Sequence, residues 1–446
     1  MGREALLRHP LAIAGALIAT VSAVLFIVLI IAALAGLFEN PYAGLLVFIA
    51  LPAALIAGLL LIPIGVRLDR RARRRDPAAV LDWPVIDLRR ERTRRVWLLI
   101  TALTAVNLAV VLLAGYGALH WMESPTFCGQ VCHTPMHPQF TAWNAGPHAR
   151  TPCVACHIGE GARGFVHAKL AGVRQLAHVI TGSYPQPVPP GTEMAPGAQA
   201  LRCVSCHQPE RLPGDRIRVV REYADDETNT ENATTLHVQL GEPSSGQRAI
   251  HWHANPDIRV EYVAADEKRE TIPWIKVTDA QGREKEFIAA NASASASTAG
   301  ERRTMDCIDC HNTVGHPMAP APERAVDNAI AQGLIDRQLP FVRREGVRLV
   351  SATYASHDQA ASAIDSGLRG FYAKQGKFDN RALARSVAAL QDVYRRNVFP
   401  AMKVTWGAYP NQLGHVATTG CFRCHDGEHA ALDGSVISAD CEYCHK

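Results

Sequence analysis

Six times in this sequence two cysteines are followed at once by a histidine. Five sets have two residues between the thiols: Cys153, Cys156 and His157; Cys203, Cys206 and His207; Cys307, Cys310 and His311; Cys421, Cys424 and His425; Cys441, Cys444 and His445. The first set, Cys128, Cys132 and His133, has three. Together they use all 12 cysteines. Covalent haem attachment needs this order, because two thiols on one short turn can add to the two vinyl groups of a porphyrin while the next imidazole reaches the iron. One C-x-x-C would serve equally as half of a zinc site or as a redox disulfide. Six do not: with 19 histidines in 446 residues, six such coincidences arise by chance on the order of 10⁻⁸ of the time. The pattern predicts six haem c groups, with His133, His157, His207, His311, His425 and His445 as proximal iron ligands.

Thirteen further histidines remain, far more than a chain of this size usually carries. Bis-histidine ligation would consume them, giving a low-potential iron with no open coordination position, whereas a methionine axial ligand raises the potential. Candidate second ligands are Met136, His148, His251, His253, His316, His415 and His429. His415 stands six residues before Cys421 in a glycine-bounded turn. At the first iron, His133, Met136 and His137 remain open alternatives.

The elements that must carry these motifs divide the chain in two. Three stretches, roughly Leu11 to Leu37, Ala43 to Val66 and Val96 to Leu119, contain no charged residue, and each is long enough for the ~20 residues of helix that cross a bilayer. The arginine-rich segment between the second and third, from Arg67 to Arg95, reads as a topogenic signal or as a contact for anionic lipid or a cytoplasmic partner. The positive-inside rule then places the N-terminus, with His9, in the cytoplasm and everything after about Trp121 in the periplasm. The expected location is an inner (cytoplasmic) membrane, with the lipid bilayer as one partner. The net charge of +4 gives no sign of a nucleic-acid partner.

The expected fold is mainly α, with little regular structure around packed haems. Its predicted parts are a three-helix membrane anchor (1–120), a core with motifs one to three (121–211), a β-rich insert (212–300), motif four (301–320), a helical spacer (321–400) and a C-terminal two-haem segment (401–446). Alternating runs at Ile217 to Tyr223, Thr235 to Leu240, Arg259 to Val263 and Trp274 to Val277 predict strands. Read as a strand, Ile250-His251-Trp252-His253 puts both imidazoles on one side. Three- and four-residue apolar spacing predicts helices over Arg324 to Ile335, Phe341 to Tyr354, Ala360 to Tyr372 and Arg381 to Val398. The stretch Ala289 to Gly300 reads as a loop. No phosphate-binding loop, dinucleotide fingerprint or hydrolase signature is present.

From Phe127 to about Pro209 the chain resembles the NapC/NirT family of membrane-anchored quinol-oxidising cytochromes. The resemblance rests on Phe127-Cys128, Cys132-His133-Thr134-Pro135-Met136, Gly146-Pro147-His148, and Phe165 with Lys169-Leu170-Ala171-Gly172-Val173-Arg174; Cys310-His311 with His316 adds to it. It implies that His148 and His316 serve irons other than those of their own motifs. It also implies a quinol dehydrogenase, or electron-transfer protein, that takes electrons from the quinone pool (quinol or menaquinol) and passes them to a periplasmic or membrane-complex redox partner. A quinol site beside the first haem would use Lys169 with Arg174 and Gln175; Lys169 could instead reach lipid headgroups or pair with a haem propionate. The family usually has one membrane helix and a narrower first motif, and this chain departs from it in both. Two other schemes use the same parts: a terminal reductase with one open-coordination haem, and electron entry from an external donor into the quinone pool.

Overall fold

The computed structural model describes residues 10–34, 50–75, 89–131, 133–158, 161–189, 198–208, 214–241, 249–292, 295, 300–376, 378–415 and 418–446. It divides into two compact units, residues 1–122 and 123–446, close to the predicted boundary at 120.

In the first unit, α1 (Pro10–Leu34) and α2 (Leu51–Arg75) pack side by side. Their closeness depends on small residues. A Cβ on Gly58 would lie 2.7 Å from the Ala19 backbone nitrogen, and one on Gly65 2.5 Å from that of Ala12, so any larger side chain would force the backbones apart. Val21, Val24, Val28, Leu59 and Leu60 point outward and are exposed. Among the described residues two helices are long and apolar enough to cross a membrane, over Pro10–Leu29 and Leu51–Leu68. The third predicted stretch lies within one continuous helix, α3 (Glu91–Met122), many of whose side chains fall outside the described ones. Val110 and Ala114 of α3 pack against Phe26 and Leu51.

The second unit starts with the first motif. Its wider spacing is absorbed by a π-helical turn, Phe127–Val131, the form a helix takes when one extra residue is inserted. Helices α4 (His133–Ala145), α5 (Gly161–Thr181) and α6 (Ala198–Cys206) follow. An antiparallel hairpin, β1 (Arg216–Tyr223) and β2 (Glu231–Val238), comes next. Its turn holds Asn229 at φ 48, a conformation that asparagine tolerates. The Asn229 side chain donates to the Leu339 carbonyl at 2.9 Å and accepts from the Arg343 amide at 2.9 Å.

The remaining strands are β3 (Arg259–Ala264), β4 (Trp274–Thr278), β5 (Glu284–Ala289), β6 (Glu301–Thr304) and β7 (His429–Ala430). They form one antiparallel sheet in the order β6-β3-β4-β5-β7. The β region is therefore not the self-contained insert 212–300. Two of its edges come from outside that range, and β2 is bonded to the chain end, where the Lys446 amide donates to the His237 carbonyl at 3.0 Å. Half of the predicted loop from Ala289 to Gly300 lies outside the described residues. The expected strand at Ile250 to His253 is instead a 3-10 turn, Ile250–Ala254. Its amides bond locally, Trp252 to the Ala249 carbonyl at 2.9 Å and Asn255 to that of Trp252 at 3.1 Å. Four alternating residues are too few to decide between a turn and a strand.

The helices expected as a spacer are α7 (Pro322–Ala331), α8 (Val342–Val350), α9 (His357–Tyr372) and α10 (Asn380–Asn397). They hold the largest hydrophobic core of the described residues, in which Val326, Val342, Ile364, Leu368, Tyr372 and Leu390 are essentially inaccessible. Tyr223 at the end of β1 joins it, so this core also anchors the hairpin. Leu390→Ala should destabilise the second unit by about 2–5 kcal/mol, read as a lower urea midpoint of the haem-region absorbance; an unchanged midpoint would remove these helices as the main core.

Candidate haem-binding sites

Four of the motifs sit on a single short turn, and the third ends helix α6. Cys153–His157 is one turn of helix, and Cys307–Asp309, Gly420–Arg423 and Cys441–Tyr443 are 3-10 turns. Such turns bring the histidine amide back onto the first cysteine: the amides of His311, His425 and His445 donate to the carbonyls of Cys307, Cys421 and Cys441 at 2.8, 3.0 and 3.0 Å. The result is two thiols and an imidazole presented together.

Opposite these imidazoles stand others. His157 faces His316 at 6.0 Å between ring centres, His207 faces His148 at 6.1 Å, His425 faces His253 at 5.8 Å and His445 faces His415 at 6.1 Å. Metal–imidazole bonds of about 2.0–2.1 Å, with each ring centre roughly 1 Å behind its nitrogen, put two rings on opposite sides of one metal about 6 Å apart. His251 and His207 both lie near enough to His311 to add to burial in lowering it. His251 Nδ1 is buried and has no hydrogen-bond partner.

The hydrogen bonds select the atom that is left for a metal. Nδ1 of His316, His253 and His425 lies 2.9 Å from the carbonyls of Gln139, Ile250 and Ser438, and that of His148 lies 3.2 Å from Val314. A carbonyl only accepts, so Nδ1 carries the proton and Nε2 keeps a lone pair. Burial, then His316 and Arg202, lowers His157 to about 4; burial also lowers His316 and His253. All three are neutral imidazoles at pH 7, the form that binds iron. The residues fit haem c at four motifs, those of His157, His207, His425 and His445.

The motifs also follow one another in space. The thiol of Cys128 hydrogen-bonds that of Cys153 and lowers it to about 7, and the thiol of Cys203 does the same to Cys307. Cys206 is near enough to Cys156 to help raise it, as Cys421 is to Cys310 and to Cys444, after burial in each case. Motif one therefore adjoins two, two adjoins three, and so on to six, in sequence order.

Motifs four and five are also clamped through residues between their own cysteines. Asp309 is buried, accepts a short bond from the Tyr262 hydroxyl, and lies 3.5 Å from both Arg303 and Arg269. The guanidinium of Arg423 donates to the Asp309 carbonyl at 2.8 Å and to the Arg269 carbonyl at 3.0 Å. These two residues were not picked out from the sequence, although an acid and an arginine each directly before a motif's second cysteine are its available signal.

Three positions behave differently. His429 is buried with Nε2 2.7 Å from the Ile272 carbonyl and Nδ1 2.9 Å from Asp426, so both ring nitrogens point at protein oxygens rather than at a metal position; its place is structural, at β7. His137 and His357, the latter not singled out from the sequence, are also 6.0 Å apart. Phe399, however, lies 5.2 and 5.4 Å from them, hence about 4 Å from their midpoint and nearly in the plane a macrocycle would occupy. His357 Nε2 is moreover 2.6 Å from the Val398 carbonyl. That pair does not fit haem. At the first motif Cys132 and the His133 side chain lie outside the described residues. Gly129 is pressed against the Phe140 ring, and a cleft of about 940 Å³ opens beside it, lined by Gln130, Thr134, Arg396 and Met402 among others. Met136 is half-buried on α4.

Lys169, Arg174 and Gln175 all lie on α5, Lys169 half-buried and the other two exposed. At 3.6 residues per turn Lys169 and Gln175 are about 120° apart around the helix, so the three do not converge on one point.

Along almost its whole length the chain is similar to the cytochrome c-type protein ImcH of Geobacter sulfurreducens: 38% identical over 447 residues, spanning 98% of this chain and 87% of that protein. No family model matches the chain, and no solved structure matches it.

Replacing His148, His316 or His415 by alanine should each convert one low-spin haem to high-spin, whereas His429→Ala should leave every haem low-spin. A low-spin spectrum unchanged by His316→Ala would return that residue to an ordinary structural role.

Proposed function

This chain belongs to the family of the cytochrome c-type protein ImcH, and from that premise we propose that it is a membrane-anchored hexahaem cytochrome c that oxidises membrane quinol and relays the electrons to a periplasmic acceptor. The observation that carries the reading is the set of four facing imidazole pairs on motifs that adjoin in sequence order. Haem c supplies reversible one-electron transfer where it is bound.

The protein's own residues do the rest. Twelve thiols fix the groups covalently, so their order cannot change. At four motifs the paired histidines would hold both faces of a bound iron, which would exclude small-molecule substrates there and favours electron transfer over a terminal reductase. The carbonyls of Gln139, Ile250, Ser438 and Val314 hold four of those rings in one tautomer, so little rearrangement accompanies a change of charge. In this reading α1, α2 and α3 are three membrane spans, the arginine-rich segment stays in the cytoplasm, and residues from 123 onward are exported across the inner membrane.

Quinol oxidation releases protons as well as electrons, so a polar side chain must bind the hydroxyl and accept a proton. We assign this to Lys169; Arg174 and Gln175, about 140° and 120° away around the same helix, contribute only through other surfaces. Menaquinol supplied as the only reductant to full-length protein in lipid vesicles should reduce all six haems. Lys169→Ala should slow that reduction at least about tenfold while dithionite still reduces every haem. Unchanged menaquinol kinetics would exclude Lys169, and no reduction of the parent protein by menaquinol would exclude the quinol reading.

A further inference from the structure

Helix α5 carries an exposed apolar surface. Val166, Leu170, Val173 and Ile180 are 54, 67, 67 and 73% exposed, and Ala177 among them is also exposed. At 3.6 residues per turn these five fall in one arc of about 80°. A run of large aliphatic side chains facing solvent over 21 residues of helix is costly in water, since each buried aliphatic side chain is worth about 1.5–3 kcal/mol. The cationic residues are placed at the margins of this arc. Lys169 lies at one edge, and Arg174 lies at the other. This is the pattern of a helix lying in the plane of a bilayer, with its apolar face among the acyl chains and long cationic side chains turned up to the headgroups.

We propose that the Val166–Ile180 face of α5 is a second membrane contact, lying in the interface of the same bilayer that the anchor helices cross, with Lys169 and Arg174 at anionic headgroups. The occupant is lipid, not protein, on two grounds. The apolar arc is bordered by positive charge alone, which complements phosphates. The same chain also carries α1 and α2, long and apolar enough to cross a membrane, so a bilayer is always within reach of a tethered segment. The inference rests on the membrane-anchored reading and shares Lys169 with the proposed quinol site, so its test reads the apolar face at Leu170 and not the lysine.

The test places a nitroxide on one introduced cysteine at a time in full-length, haem-loaded protein, reconstituted into vesicles of phosphatidylcholine with phosphatidylglycerol. The sites are Leu170→Cys on α5, Val24→Cys on α1 and Ile217→Cys on the exposed face of β1. Collision with oxygen, which partitions into lipid, is compared with collision with a water-soluble nickel chelate. The oxygen-to-nickel ratio at Leu170 should exceed that at Ile217 at least about threefold, with Val24 higher still. A Leu170 ratio equal to that at Ile217, while Val24 remains high, would overturn the α5 contact and leave the anchor intact. Low ratios at both Val24 and Leu170 would overturn the anchored reading with it. Protection of Leu170 from both agents would mean that protein, a second copy or a redox partner, covers the face, and would also overturn the proposal.

Discussion

A neutral imidazole whose Nδ1 proton is given to a carbonyl keeps one lone pair, at Nε2. Two such lone pairs facing each other across about 6 Å between ring centres can hold a metal ion between them. In this protein four histidine pairs stand at 5.8 to 6.1 Å between ring centres, both rings of the His253–His425 pair have Nδ1 on a carbonyl, and the remainder of the second unit holds the partners in place. The ligand geometry is a property of chain segments far apart in sequence, and only a folded scaffold can keep them at that separation.

The scaffold does this with two different kinds of packing. The hydrophobic core of α7 to α10 is conventional, built from aliphatic and aromatic side chains at helical spacing. The five-stranded sheet instead works as a tie, because its edge strands β6 and β7 adjoin motifs four and five. The buried acid and arginines around Asp309 reinforce that junction. Motif one is held by different means, a π-helical turn seated on Phe140. Placing the motifs on short turns between rigid elements lets six attachment sites crowd together without a large core of their own.

Much of this was legible in the sequence, and the rest was hidden for identifiable reasons. The six motifs are local and depend only on spacing, so they could be read directly. The four C-terminal helices were visible from apolar periodicity, although their role as the principal core was not, because periodicity does not say what a face packs against. Read as a strand, Ile250 to His253 would put both imidazoles on one side; it is a 3-10 turn. As a turn it sends His251 toward His311 and His253 toward His425, so one short segment serves two sites. His429 was taken as a ligand candidate because histidines were in excess; Asp426 three residues earlier was the sign that it serves structure. The pairing of His316 with His157 across 159 residues of chain has no local signature, since it is set wholly by tertiary packing.

The account stands on covalent haem at every motif, and the intact mass of the full-length protein tests that most directly. The predicted mass is that of the polypeptide plus six haems, with no thiol left to alkylate among the twelve cysteines. A mass corresponding to four or fewer haems, with free thiols to match, would contradict it.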